Sequence, residues 1–336
     1  MTKKFDGDLI FLYSENARTR IREIAHMLTK SPQRLKYSLK MLEKEGFVNY
    51  PHCIFDYSYF GLILFRVYFK GGYISEKDKD YIIRELKENE YVVSIYELTG
   101  EFDLAVEMLS PNPSRFNKEL KKVTSIIPTL NNYKIILNLV SFIYPREYLL
   151  KSDQLADIVS KDIIVGGDRS IEQFDENEMG VVRSILENPR IRMTTLAKQT
   201  KLNVKTVASI LKNLKKRKIV KGFKFVVDTN KLEISKFRLF LKLHNLNMER
   251  EKQLKEYFLK TREVVKVNKT VGDWDIEIDI ESLDKSKIRY LIVQLREGFK
   301  DLIENFNIIE FYQYYQVSYL PRYLFKENIS EETVSN

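Results

Sequence analysis

Residues 196–224 read LAKQTKLNVKTVASILKNLKKRKIVKGFK and hold ten lysines or arginines and no aspartate or glutamate. Cations at that density bind phosphate. Each one set against a nucleic-acid backbone releases a condensed counterion and adds affinity without reading sequence. Amide, hydroxyl and guanidinium tips do the complementary chemistry, because they match the donor and acceptor pattern of base edges in the major groove. Both kinds of side chain occur here on a helical spacing. Val207, Ile210, Leu211 and Leu214 form an i, i+3, i+4, i+7 stripe that turns inward, so Lys205, Thr206, Ser209, Lys212 and Asn213 face outward. Lys216, Arg217, Lys221 and Lys224 follow on the helix end and the next segment, where phosphate contact is expected.

A quieter version, IAHMLTKSPQRLKYSLKMLEKEGFVNYPH, occupies residues 24–52. Its outward positions are Gln33, Arg34, Lys36, Tyr37 and Lys40. Gln33 and Asn213 suit adenine and Arg34 suits guanine. Tyr37 reads equally well as a half-buried packing residue.

The elements that position these side chains are written twice. Residues 16–108 lie over 188–280 without a gap, and Arg18, Ala25, Leu39, Leu42, Arg66, Gly100 and Asp103 meet Arg190, Ala197, Leu211, Leu214, Arg238, Gly272 and Asp275. Farther on, Pro145-Arg146 meets Pro321-Arg322. Each copy begins with three short helices. The third is capped by Ser31 before Pro32 in the first copy and by Asn203 in the second, after a turn of about three residues. Two helices joined so tightly, the second basic outside, make a helix-turn-helix. Each copy continues as strand, helix, strand, strand, helix, strand. Gly100 and Gly272 stand in the turns between the central strands. The expected fold class is therefore α+β: two copies of a (winged) helix-turn-helix followed by a ferredoxin-like βαββαβ domain. The expected divisions are 1–60 and 61–150 for the first copy, a linker at 151–173 with a short helix near 152–160, then 174–233 and 234–326 for the second copy, and a disordered tail at 327–336.

Charge is unevenly divided. Residues 174–232 carry fourteen Lys or Arg against five Asp or Glu, a net of +9, which equals that of the whole chain. Residues 1–60 carry ten against seven, a net of +3. The excess coincides with the outward face of the basic helix, which points to nucleic acid. Other chemistries find little support. One cysteine, Cys53, leaves no internal disulfide and no cysteine-based zinc site. The scattered His26, His52 and His244 suggest no metal centre, and no cofactor is expected. The apolar runs near 59–69 and 133–144 are too short for a bilayer and contain Arg66, Lys134 and Asn138. With no leader-like start, the expected setting is the cytoplasm, with no membrane partner. The aromatic strands FRVYF and FYQYYQVSYLPRYLF read as core rather than as a base-stacking RNA platform.

FDENEMGVVRSILENPR at 174–190, SPQRLKYSLKMLEKEGFV at 31–48, and GEFDLAVEM and GDWDIEIDI at 100–108 and 272–280 together resemble the Lrp/AsnC (feast/famine) transcriptional regulators. The order and spacing of these segments, seen twice, carry the resemblance across nearly all of each copy. It implies a double-stranded DNA partner, both halves of a family dimer in one chain, self-association through the ferredoxin-like domains, and a small effector such as an amino acid. By the resemblance, the effector site falls at Thr99, Gly100, Asp103, Gly272 and Asp275. The usual turn glycine of the helix-turn-helix is replaced by Thr29 and Lys201. An archaeal source fits the Lys-, Asn- and Ile-rich usage. The chain is expected not to be an enzyme. The competing readings are a siroheme-decarboxylase-like enzyme, whose fold is similar but whose histidine is missing from 91–99 and 263–271, and a non-DNA-binding interaction module.

Overall fold

The computed structural model describes residues 5–71, 75–151, 155–156, 162–244 and 248–326. The first copy begins with helices α1 (Gly7–Glu15), α2 (Ile21–Met27) and α3 (Pro32–Lys44) and strand β1 (Val48–Phe55). It continues with β2 (Ile63–Phe69), α4 (Glu76–Glu88), β3 (Val92–Thr99), β4 (Leu104–Ser110), α5 (Pro113–Ile126) and β5 (Tyr133–Ile143). The short β6 (Ile163–Gly166) falls inside the segment expected to be a linker and pairs with β5. The helix expected near 152–160 and the tail at 327–336 fall mainly or wholly outside the described residues. The second copy repeats the order with α6 (Glu176–Glu187), α7 (Met193–Gln199), α8 (Val204–Lys216), β7 (Val220–Val227), β8 (Ser235–Leu243), α9 (Met248–Lys260), β9 (Val264–Val271), β10 (Ile276–Ser282), α10 (Lys285–Gly298) and β11 (Ile303–Val317).

Local chemistry places the helix ends. Ser31 Oγ accepts from Arg34 N–H at 3.3 Å, with Pro32 in the first turn, and Asn203 Oδ1 accepts from Thr206 N–H at 2.7 Å. Helix α2 ends on Thr29 at φ 52° and α7 on Lys201 at φ 55°. The Lys30 and Leu202 amides then reach back to the Ala25 and Ala197 carbonyls, closing a Schellman turn in each copy. Side chains stand here in the left-handed region that glycine occupies at no cost, so both turns hold strain.

Each ferredoxin-like half has the strand order of its topology, β5-β2-β4-β3 and β11-β8-β10-β9. The halves then join at both edges. Strand β3 pairs with β11 and β5 with β9, both antiparallel, so eight strands close into a barrel without a free edge. Helices α4 and α5 cover one half through a core around Phe116 and Leu120, and α9 and α10 cover the other around Phe258 and Leu291. The helix-turn-helix units are joined by a two-stranded ribbon in which β1 of the first copy pairs with β7 of the second, His52 opposite Lys224. These two residues are equivalent in the repeat, so the pseudo-two-fold axis passes between them. One apolar core runs through both helical units and the ribbon.

Candidate nucleic-acid interface

Helices α3 and α8 present the side chains that the spacing selects. On α8, Val207, Leu211 and Leu214 are buried, while Lys205, Ser209, Lys212, Asn213 and Lys216 are exposed and Thr206 is half-buried at the cap. No ion pair among the described residues engages Lys205, Lys212 or Lys216, so these ammonium groups keep their charge turned to solvent. On α3, Leu35 and Leu39 are buried and Gln33, Arg34, Lys36, Tyr37 and Lys40 are exposed. Tyr37 is 68% exposed, which disposes of the packing alternative.

Three of the cations expected on phosphate lie elsewhere. Arg217 is clamped by two carboxylates, Nη1 to Glu178 at 2.5 Å and Nη2 to Glu172 at 2.7 Å. Lys221 is half-buried against Asp56 at 3.2 Å. Lys224 is 4% exposed and pairs with Glu15 at 2.5 Å. The physical reason is the ribbon. For Lys221 and Lys224, once β7 pairs with β1, alternate side chains turn toward the barrel and the helices and meet carboxylates there, while Arg217, at the end of α8, is held by the segment that leads into α6. Arg18 and Arg190, equivalent in the repeat, also serve the joint between the copies. Arg18 Nε donates to the Pro189 carbonyl at 2.7 Å, and Arg190 Nη1 donates to the Tyr13 hydroxyl at 2.9 Å and Glu43 at 3.1 Å.

The expected effector residues gather at one rim of the barrel. Lys134 reaches Glu101 at 3.3 Å and Asp273 at 3.2 Å, tying the two glycine turns together. Thr99, Gly100 and Gly272 are exposed there, with the glycines at φ 122° and 145°. Both aspartates are already occupied. Asp103 accepts from the Gly71 N–H at 2.5 Å, and Asp275 accepts from the Leu243 N–H at 2.8 Å and from Lys242 at 3.1 Å. Their present work is to hold strand ends.

The barrel interior contains charges that the sequence reading left unassigned. Arg66 bonds Glu107 at 2.9 and 2.7 Å and also contacts Glu277. Arg238 grips Asp279 with two bonds of 2.6 and 2.9 Å and donates to the Tyr68 and Tyr96 hydroxyls, each at 2.7 Å. Burial alone would raise the Glu107 carboxyl, but Lys266 and Arg66 outweigh it and hold its pKa down at about 2. The available signal was the repeat itself: Arg66 and Arg238 coincide, as do Glu107 and Asp279, in strands otherwise apolar enough to be core.

The winged helix-turn-helix DNA-binding family matches residues 3–49 and 174–221, one match per copy. An uncharacterized HTH-type transcriptional regulator of Pyrococcus abyssi is 31% identical over 124 residues, covering 37% of this chain and 78% of that protein. The HTH-type transcriptional regulator Ptr1 of Methanocaldococcus jannaschii is 24% identical over 142 residues, covering 42% of this chain and 95% of its own. Among solved structures, the siroheme decarboxylase NirDL shares the fold over 94% of both chains, with a TM-score of 0.58 and 12% identity.

Proposed function

We propose, because this chain belongs to the Lrp/AsnC-type helix-turn-helix transcriptional regulators with the family's unit written twice, that it is a DNA-binding regulator acting as a fused pseudo-dimer. The observation that carries this reading is the ion-pair-free face of Lys205, Lys212 and Lys216 on a capped helix, with α3 as its counterpart across the ribbon. Lysines on α8 supply most of the electrostatic grip, while Gln33 and Arg34 on α3 add base discrimination. Fusion lets the two half-sites of the operator differ, since the two reading helices are no longer copies of each other. A small effector such as an amino acid at the glycine-turn rim, and self-association through the ferredoxin-like halves, complete the family reading. Selection of bound sequences from random duplex DNA tests it. Two unlike half-sites at fixed spacing are expected, and recovery of unenriched sequence would reject the sequence-specific reading.

The whole-chain likeness to NirDL favours a second reading as a tetrapyrrole enzyme. Against it, the strand segments 91–99 and 263–271 carry no histidine. Titration with siroheme decides between them: a saturable change in its absorbance would revive the enzyme.

A further inference from the structure

The barrel interior is pseudo-symmetric at its centre and lopsided at the end beneath the ribbon. The pairs Arg66–Glu107 and Arg238–Asp279 are equivalent in the repeat and both are kept. Around them the copies diverge. Where the first copy has Leu64, Ser94 and Leu109, the second has Lys236, Lys266 and Glu281. Lys236 and Lys266 border a cavity of about 100 Å³ between the ribbon residues His52 and Lys224 and the barrel strands.

Most of these charges answer one another. Glu281 accepts from Lys236 at 2.8 Å and from Arg146 at 2.8 Å, and Glu15 pairs with Lys224. In the whole interior cluster, six cations (Arg66, Arg146, Lys224, Lys236, Arg238, Lys266) face five carboxylates (Glu15, Glu107, Glu277, Asp279, Glu281). The surplus falls on Lys266, whose nearest carboxylate, Glu107, is 3.9 Å away, beyond hydrogen-bond length. One further lining group lacks a hydrogen-bond partner among the described residues: His52 Nδ1 is buried without one, although the ring stacks on Tyr319. Buried polar groups of this kind are normally satisfied.

We infer that this cavity is a binding site for one small monocarboxylate per chain, held by the Lys266 ammonium and the unpartnered Nδ1 of His52. One negative charge cancels the surplus cation. The cavity is small, about 100 Å³, which suits a compact occupant on the scale of acetate or pyruvate. The site lies under the ribbon, at the opposite end of the barrel strands from the Gly100 and Gly272 turns, and is separate from the effector residues expected there. An occupant would brace the ribbon that carries both helix-turn-helix units against the barrel. That last consequence rests on the regulatory reading, whereas binding itself does not.

Thermal unfolding and calorimetry of the full chain with acetate and pyruvate, against chloride at equal ionic strength, test binding without DNA. A saturable rise in Tm with one site per chain is expected. Lys266→Ser, which installs the first copy's residue, should weaken it by about tenfold or more, since a charge-assisted contact is lost. His52→Phe, which fills the cavity and leaves Lys266 in place, should also weaken it and covers the case in which the serine variant does not fold. Two sites per chain, no shift beyond that of chloride, or undiminished binding in both folded variants would overturn the assignment. Binding of siroheme in place of the carboxylates would overturn it as well. Loss of DNA binding with carboxylate binding intact would strike only the regulatory reading.

Discussion

Helices α3 and α8 share a fold, a cap and a Schellman turn, yet they face solvent with different chemistry. The outer face of α8 carries Lys205, Lys212 and Lys216, without ion pairs among the described residues, and α3 shows Gln33, Arg34 and Tyr37 with acidic Glu43 and Glu45 near its end. The same contrast appears at the barrel end beneath the ribbon, where Lys236, Lys266 and Glu281 of the second copy stand at the positions of Leu64, Ser94 and Leu109. Duplication inside one chain removes the demand that both halves do the same work. In a true two-fold dimer every substitution appears twice. Here each appears once, so grip, reading and buried charge have been able to separate.

The sharpest way to break this comparison is through the ribbon. Lys224 counts toward the basic excess of the second copy but is consumed by Glu15, so Lys224→Ala should cost about 3 kcal/mol of stability by leaving the buried Glu15 carboxylate only its 3.4 Å contacts with Arg146. Denaturant melts should show that loss while the salt slope of DNA binding stays as it was. Next in size, Lys205→Ala, Lys212→Ala and Lys216→Ala combined should lower DNA affinity by on the order of 100-fold and flatten the salt slope by about 3. Anisotropy titrations across a salt series read both quantities, and an unchanged slope would leave the interaction-module reading standing.

The first copy should respond differently. Gln33→Ala with Arg34→Ala is expected to erode discrimination between matched and mismatched sites by about 1–3 kcal/mol, with a slope change of about 1. Competition between the two DNAs measures this, and an equal loss on both would return α3 to a purely electrostatic role.

A smaller effect is tied to pH. Burial together with Lys224, Arg146 and Lys266 pushes His52 down to about 3, so the folded protein keeps the ring neutral while the unfolded chain takes up a proton near 6.5. Stability from this group is complete above pH 6.5 and is lost as pH falls toward 3, amounting to up to about 2 kcal/mol between 6.5 and 5. His52→Phe should flatten that part of the stability curve. The Glu107 contribution acts below it, being lost from 4.5 toward about 2. Smallest of all, Thr29→Gly and Lys201→Gly should stabilise by about 0.5–1 kcal/mol through relief of the left-handed turns. The threonine change should gain more, because a branched Cβ crowds that conformation further.

Much of this was readable in the chain because it is local. Ser31 and Asn203 mark helix starts by side-chain hydrogen bonds three residues long, and the spacing of Val207, Leu211 and Leu214 fixes which face of α8 turns inward. Repetition of Gly100-Asp103 at Gly272-Asp275 placed the central hairpins of both copies. The same local evidence misassigned Arg217, Lys221 and Lys224, since nothing within a few residues of them shows that Glu172, Glu178, Asp56 and Glu15 stand opposite. The occupied state of Asp103 and Asp275 was hidden for a similar reason: each bonds a backbone amide more than thirty residues away.

The sequence by itself therefore determined the duplicated unit, its helix-turn-helix, its βαββαβ order and the outward faces of α3 and α8, because periodicity, caps and turn residues act over a few positions. Tertiary structure alone decided that β1 pairs with β7, β3 with β11 and β5 with β9, and these long-range pairings select which cations are enclosed. A strand turns alternate side chains to opposite faces, but only its partner determines which face becomes interior. Lys224 became part of a buried ion pair for that reason, whereas Lys216, on α8, was turned to solvent by its helical spacing.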